Sequence, residues 1–231
     1  MSLISESYEI VKAQIAGAAE ACGRDAAEVE LVAVSKTWPA DTLLEVVDCG
    51  QTLFGENKVQ ELLAKAPALP AKLRWHFIGH LQKNKVRKVL PLAEAIHSVD
   101  SLDLASRIDR ISAELGLFPT IYLQANTATE AGKSGFSPDK LITEIDELLS
   151  LDRVEIAGLM SIPPAREDPN ATRADFRALR QLRDKLQDQT GVPLPGLSMG
   201  MSHDFELAIA EGATIVRVGS SIFGKRLVPM G

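Results

Sequence analysis

Residues 194–224 read LPGLSMGMSHDFELAIAEGATIVRVGSSIFG. The run 194–199 (LPGLSM) is apolar and strand-length. Gly200 and Ser202 follow it, then a helix-length segment, 203–211, with Gly212 placed where a left-handed residue closes a helix. The run 214–219 (TIVRVG) is rich in β-branched residues, and Gly219-Ser220-Ser221 follows it. Strand, loop of small residues, helix, strand and a second such loop make the repeating unit of a parallel sheet.

The same alternation runs through the rest of the chain. Further strand-length runs lie at 29–35 (VELVAVS), 52–55 (TLFG), 75–79 (WHFIG), 95–99 (AIHSV), 120–126 (TIYLQAN) and 154–160 (VEIAGLM). Several are almost continuously apolar, as in strands buried on both faces. Helical segments separate them. Ser137-Pro138 opens one, with Ser at the N-cap and Pro at the first helical position. The segment 172–189 sets Phe176, Leu179, Leu182 and Leu186 on one stripe, with Gly191 beyond it. Ser101 to Leu115 ends before Gly116, and residues 5–21 predict an extra helix ahead of the first strand. Eight strand–helix units close into a (β/α)8 barrel, typically of about 250 residues. The doubly wound alternative calls for a GxGxxG after the first strand, and Ser35-Lys36-Thr37-Trp38-Pro39 stands there instead. The expectation is therefore one barrel domain over residues 1–231, with no room for a second.

Composition narrows the class. Of the 231 residues 45% are apolar and 24% charged, which excludes a disordered chain. A net charge of −6 argues against a nucleic-acid binder. Two cysteines, Cys22 and Cys49, without a CxxC fit a reducing compartment, and both read as inert. The start, MSLISESYEIVKAQIAG, lacks a basic region followed by an unbroken apolar core. No stretch approaches the roughly 18 apolar residues of a membrane span. The chain is expected to be a cytoplasmic protein bound to neither membrane nor nucleic acid, and a monomer.

In a barrel of this kind the working groups lie at the C-terminal ends of the strands. Lys36 ends the first. Beside apolar walls its ammonium form is disfavoured, which frees the amine for Schiff-base chemistry, although a lysine snorkelling to water has the same signature. The loops at 198–202 and 219–224 offer small residues, hydroxyls and backbone N–H groups where barrels commonly hold phosphate. Arg217, between Val216 and Val218, is either a donor to a ligand or the partner of a buried carboxylate such as Glu56. Asn57 is either a ligand contact or the N-cap of a helix over 58–66. His76 and His80 lack a third ligand at zinc spacing, so no metal is expected. Residues 82–88 (QKNKVRK) read as a solvated basic face. Gly132-Lys133-Ser134-Gly135 lacks the upstream glycine of a P-loop, so ATP binding is rejected.

Taken in order, LVAVSKTWP (31–39), FGENKVQE (54–61), WHFIGHLQKNK (75–85), HSVDS (97–101), KSGF (133–136), GLMSIP (158–163), LSMGMSHDFELAI (197–209) and VRVGSSIFGKR (216–226) resemble the pyridoxal phosphate homeostasis proteins, the YggS/PROSC family. These are single-domain relatives of the N-terminal barrel of alanine racemase. The resemblance implies pyridoxal 5′-phosphate (PLP) held as a Schiff base on Lys36. It implies phosphate contacts from Ser202, Gly219 and Ser220, an Arg217 donor at the pyridine nitrogen, and Asn57 near the cofactor. Two stretches depart from the family pattern. His203 stands where an acidic residue is common, and 126–132 (NTATEAG) differs from the usual loop, so only Asn126 is carried over from it.

An arginine at the ring nitrogen disfavours its protonation and so weakens the electron sink. The tyrosines, Tyr8 and Tyr122, lie away from convincing strand exits, which leaves Lys36 as the one base. The expected function is a carrier in intracellular vitamin B6 homeostasis. It has no catalytic residues assigned and no robust turnover, and apo forms of PLP-dependent enzymes are its recipients. The alternative is a fold-type III amino-acid racemase. A Schiff-base aldolase acting on phosphosugars without a cofactor is a third reading.

Overall fold

A computed structural model describes residues 2–127, 134–164 and 166–224. Eight parallel strands close into a barrel in sequence order. They are β1 (Glu30–Val34), β2 (Leu53–Glu56), β3 (Arg74–Phe77), β4 (Ala95–Val99), β5 (Thr120–Gln124), β6 (Glu155–Met160), β7 (Gly196–Met201) and β8 (Ile215–Val218). Nine helices stand among the described residues: α1 (Leu3–Ala21), α2 (Ala40–Asp48), α3 (Val59–Lys65), α4 (Val86–Val89), α5 (Leu102–Leu115), α6 (Pro138–Leu149), α7 (Pro169–Thr190), α8 (Phe205–Ala210) and α9 (Ser220–Phe223). The eight strands expected from the sequence are all present, β4 with the expected ends and the others with ends moved by no more than two residues. Among the described residues no helix is long and apolar enough to cross a membrane.

Strand geometry divides the side chains between two cores. Successive residues point to opposite faces. Ala33, Phe54, Phe77, Ile96, Leu123, Leu159 and Val216 join the large core beneath the helices. Val32, Val34, Leu53, Ile78, Ala95, Tyr122, Met160 and Ile215 form the small core inside the barrel. Both faces are therefore apolar, which is why the strands read as unbroken hydrophobic runs. Gly55 belongs to the inner face: a Cβ there would lie 2.6 Å from Val32 Cγ1. Its bare backbone lets Val32 and Ile78 meet across β2.

Helix termini follow the expected chemistry. The Ser101 hydroxyl accepts from Leu104 N–H and that of Ser137 from Lys140 N–H. Gly116 and Gly191 close α5 and α7 at φ 67° and 68°. Two boundaries differ from expectation. Helix α8 starts at Phe205 rather than His203, because Asp204 Oδ1 accepts from Met201 N–H and holds 201–204 in a turn. Helix α3 starts at Val59 with Lys58 in the cap position, so Asn57 is not its N-cap. The basic segment 82–88 is exposed but paired, Lys83 with Asp103 and Arg87 with Glu114 of α5.

The packing of α7 on the barrel rests on Phe176, Leu179, Leu182 and Leu186, all buried. Phe176 is fully buried. Phe176→Ala is expected to lower unfolding free energy by about 3–5 kcal/mol, the range for a large aromatic removed from a core. Urea denaturation monitored by circular dichroism measures it.

Candidate functional site

At the C-terminal ends of the strands lies a cavity of about 310 Å³. All six residues singled out from the sequence line it: Lys36, Asn57, Ser202, Arg217, Gly219 and Ser220. They come from the exits of β1, β2, β7 and β8. Val34, Trp38, Ile78 and Ile162 supply apolar walls, and His203 also reaches the cavity. A larger cleft, of about 750 Å³, opens at the other end of the barrel and contains none of these residues.

Lys36 is presented by a turn that is fastened from below. Trp38 N–H donates to Ser35 O at 3.1 Å, closing a turn with Lys36 and Thr37 at its centre. Thr37 adopts φ 70°, a left-handed conformation usual for glycine at this place in a turn and costly for a β-branched residue. Its N–H donates to Glu61 Oε2 at 2.6 Å. Lys65, buried at the end of α3, donates from Nζ to Ser35 O at 2.8 Å, to Glu56 Oε1 at 2.6 Å and to Glu61 Oε2 at 2.8 Å. Ser35 Oγ donates to the same Glu56 oxygen at 2.6 Å. The residues on both sides of Lys36 are thus tied to one buried ammonium group. Burial pushes the Glu56 carboxyl above its ordinary range, against the pull of Lys65 and Ser35. Burial also opposes the charge on Glu61, but Lys65 and Thr37 N–H outweigh it and hold that carboxyl low.

Glu56 therefore does not pair with Arg217. Glu56 points outward from β2 toward α3, whereas Arg217 points into the barrel beside Val32, its register partner. Arg217 donates to Ser198 Oγ at 2.5 Å and to Ser161 O at 2.9 Å, using two of a guanidinium's five N–H donors. Burial draws its pKa down to about 10, against the attraction of Asp204, so it stays cationic at neutral pH.

Asn57 Oδ1 is buried without a hydrogen-bond partner. Its loop is pinned by Gly79, where a Cβ would fall 2.0 Å from Asn57 O. At the far wall, Ser202 Oγ accepts from Gly219 N–H at 3.1 Å and Ser221 N–H at 3.3 Å, and Ser221 Oγ donates to Ser202 O. The two glycine- and serine-rich loops so form one unit. A Cβ on Gly219 would sit 3.1 Å from Val34 O, tight against the wall.

The remaining candidates fall elsewhere. Tyr8 donates to Gln51, and Tyr122 lies inside the barrel with its ring 4.6 Å from His97; neither lines the cavity. His80 is exposed near Asp100, and no metal-binding cluster occurs among the described residues. Gly132, Lys133, the 128–132 part of the divergent loop and Lys225-Arg226 lie outside the described residues. Asn126 borders a neighbouring hollow of about 210 Å³, with Ser161 and Ile162.

Sequence reasoning missed Lys65. The signal was its spacing: Val59, Leu62 and Lys65 recur every three residues, so Lys65 falls on the buried face with Glu61 one turn before it.

The fold and cavity define a lysine-bearing parallel barrel, and the family model "Alanine racemase, N-terminal domain" matches residues 11–226. A pyridoxal phosphate homeostasis protein of Aquifex aeolicus (strain VF5) is 44% identical over 222 residues, covering 96% of this chain and 97% of its own. The structure of PipY of Synechococcus elongatus PCC7942 with PLP bound superposes with a TM-score of 0.85 at 41% identity, over 96% of this chain and all of that one. Alanine racemase of Clostridium difficile 630 shares the fold, with a TM-score of 0.73 at 15% identity over 97% of this chain and 58% of its own. The chain belongs to the pyridoxal phosphate homeostasis family, within the alanine racemase N-terminal domain type.

Two outcomes follow from this geometry. Lys65→Met is expected to cost about 3–5 kcal/mol of stability, since it strands a buried carboxylate, and to free the Lys36 turn. Denaturation together with amide exchange at residues 35–38 tests both parts. Burial lowers the His76 pKa from 6.5 to about 4, and drives His97 down as well. The unfolded chain therefore binds protons that the folded one refuses, and stability held above pH 6.5 is lost as pH falls toward 4. For His76 alone the loss between pH 7 and pH 5 is about 2 kcal/mol, with His97 adding in the same direction. Unfolding at the two pH values, in wild type and His76→Gln, measures it.

Proposed function

We propose that this protein binds PLP at the barrel mouth through Lys36 and serves as a cytoplasmic, monomeric carrier that passes it to apo-enzymes. The observation that carries the reading is the convergence of Lys36, Asn57, Ser202, Arg217, Gly219 and Ser220 on one cavity, in a family whose relative PipY has been solved with PLP bound. The donor set suits the cofactor. PLP, when bound, supplies an aldehyde that condenses reversibly with a primary amine, and a phosphate that anchors it.

Each residue has a part. Lys36 provides the amine from a turn that the Lys65 network immobilises. Val34, Trp38 and Ile78 keep water from that amine. Ser202, Gly219 and Ser220 offer hydroxyl and N–H donors to the phosphate, once the bonds between Ser202 and the Gly219 loop rearrange. Arg217 would offer its cationic edge to the ring nitrogen and oppose a proton there. Asn57 Oδ1 is a buried acceptor ready for a ligand donor. The titratable groups lining the cavity are Lys36, His203 and Arg217. His203 is the one imidazole among the described residues that line the cavity, and its presence there is the observation that favours the racemase alternative.

The visible spectrum of purified protein, before and after borohydride, followed by peptide mass spectrometry, tests the reading. A yellow band lost on reduction, with a pyridoxyl group on Lys36 and none in Lys36→Ala, is the expected result. A colourless protein that PLP does not modify overturns it. Chiral analysis of alanine after long incubation separates carrier from racemase: a carrier leaves its enantiomeric excess unchanged.

A further inference from the structure

Inside the barrel a chain of polar side chains leads away from the cavity. Arg217 Nη1 donates to Ser198 Oγ at 2.5 Å, Ser198 Oγ meets His97 Nδ1 at 2.7 Å, and His97 Nε2 meets His76 Nδ1 at 2.9 Å. The four residues come from β8, β7, β4 and β3, and none is more than 4% exposed. Around them the inner core is apolar, with Val32, Leu53, Ile78, Met160 and Ile215. Polar groups in such a place cost free energy that apolar residues of similar size would not.

Donor accounting gives the chain a direction. Arginine has only N–H donors, so Ser198 Oγ accepts from Arg217. If the Ser198 hydroxyl then donates to His97 Nδ1, the His97 Nε2–H donates to His76 Nδ1 and each contact along the chain has one donor and one acceptor. In the reverse arrangement, with His97 donating to Ser198, the buried serine proton has no acceptor. Among the described residues Arg217 makes no ion pair. Neutral oxygens of Ser198 and Ser161 hold it, so its charge is left for the cavity it lines.

We infer that Ser198 and His97 are positioning residues, which fix the guanidinium of Arg217 so that its charge reads the ring nitrogen of PLP. The inference rests on the PLP reading above. Replacing His97 frees Ser198 to rotate, and Arg217 loses its fixed acceptor.

The test compares dissociation constants of PLP and its 1-deaza analogue, in which C–H replaces the ring nitrogen. Wild type is expected to prefer PLP by about tenfold, the worth of one charge-assisted hydrogen bond. In His97→Phe and Ser198→Ala the preference should fall to about twofold or less. His97→Asn, which restores a polar atom near the Nδ1 position, should recover most of it. Should His97→Phe fail to fold, Ser198→Ala, which removes one oxygen, carries the comparison. If the variants weaken both ligands equally and keep the wild-type preference, the two residues are merely structural and the inference is overturned. A wild type that binds both ligands equally overturns it differently: Arg217 then does not read the nitrogen, while PLP binding stands. A wild type that binds neither overturns the PLP reading itself.

Discussion

A buried ammonium group is the fixed point of this structure. Lys65 Nζ reaches Glu56 on β2, Glu61 on its own helix and the carbonyl of Ser35 at the end of β1. An unpaired charge in that place would cost several kcal/mol, so the three acceptors cannot disperse without penalty. The same contacts hold Ser35 and Thr37, and Thr37 keeps a backbone conformation that its β-branched side chain opposes. Lys36 lies between two residues that cannot move independently. Charged side chains thus tie down the residues on either side of Lys36.

Polarity in the barrel is arranged by strand face. The same alternation that sends Glu56 outward to Lys65 sends Arg217 inward to Ser198 and the two histidines. Each cation thus has its own set of acceptors. Lys65 is neutralised by carboxylates and holds backbone. Arg217 is held by neutral oxygens and keeps its charge. Two buried basic residues so keep different company, one among carboxylates and one among neutral oxygens.

The barrel was legible because each βα unit announces itself locally. An apolar run, a glycine or serine exit and a capped helix need only some 30 consecutive residues. The strand exits placed Lys36, Asn57, Arg217 and the loops 198–202 and 219–224 at one end of the barrel, and the family resemblance picked Ser202, Gly219 and Ser220 from those loops. Contacts that join distant strands were not legible. His97 and Ser198 are separated by 101 residues and Lys65 and Ser35 by 30, and no local pattern ties them. The alternative of Glu56 as a partner for Arg217 fails for that reason: the charges matched, but strand parity put them on opposite faces. Asn57 failed as a cap by one residue, because Lys58 took the position.

That Arg217 makes no ion pair among the described residues bears on how an anion finds the mouth. The protein as a whole carries a net charge of −6, so at long range it repels a phosphate ester. At physiological ionic strength that repulsion fades beyond a Debye length of about 8 Å. Within this distance the cationic Arg217 contributes a local positive potential, with low-dielectric walls to focus it. Attraction is thereby confined to the last few ångströms of approach, where shape and hydrogen bonding already discriminate.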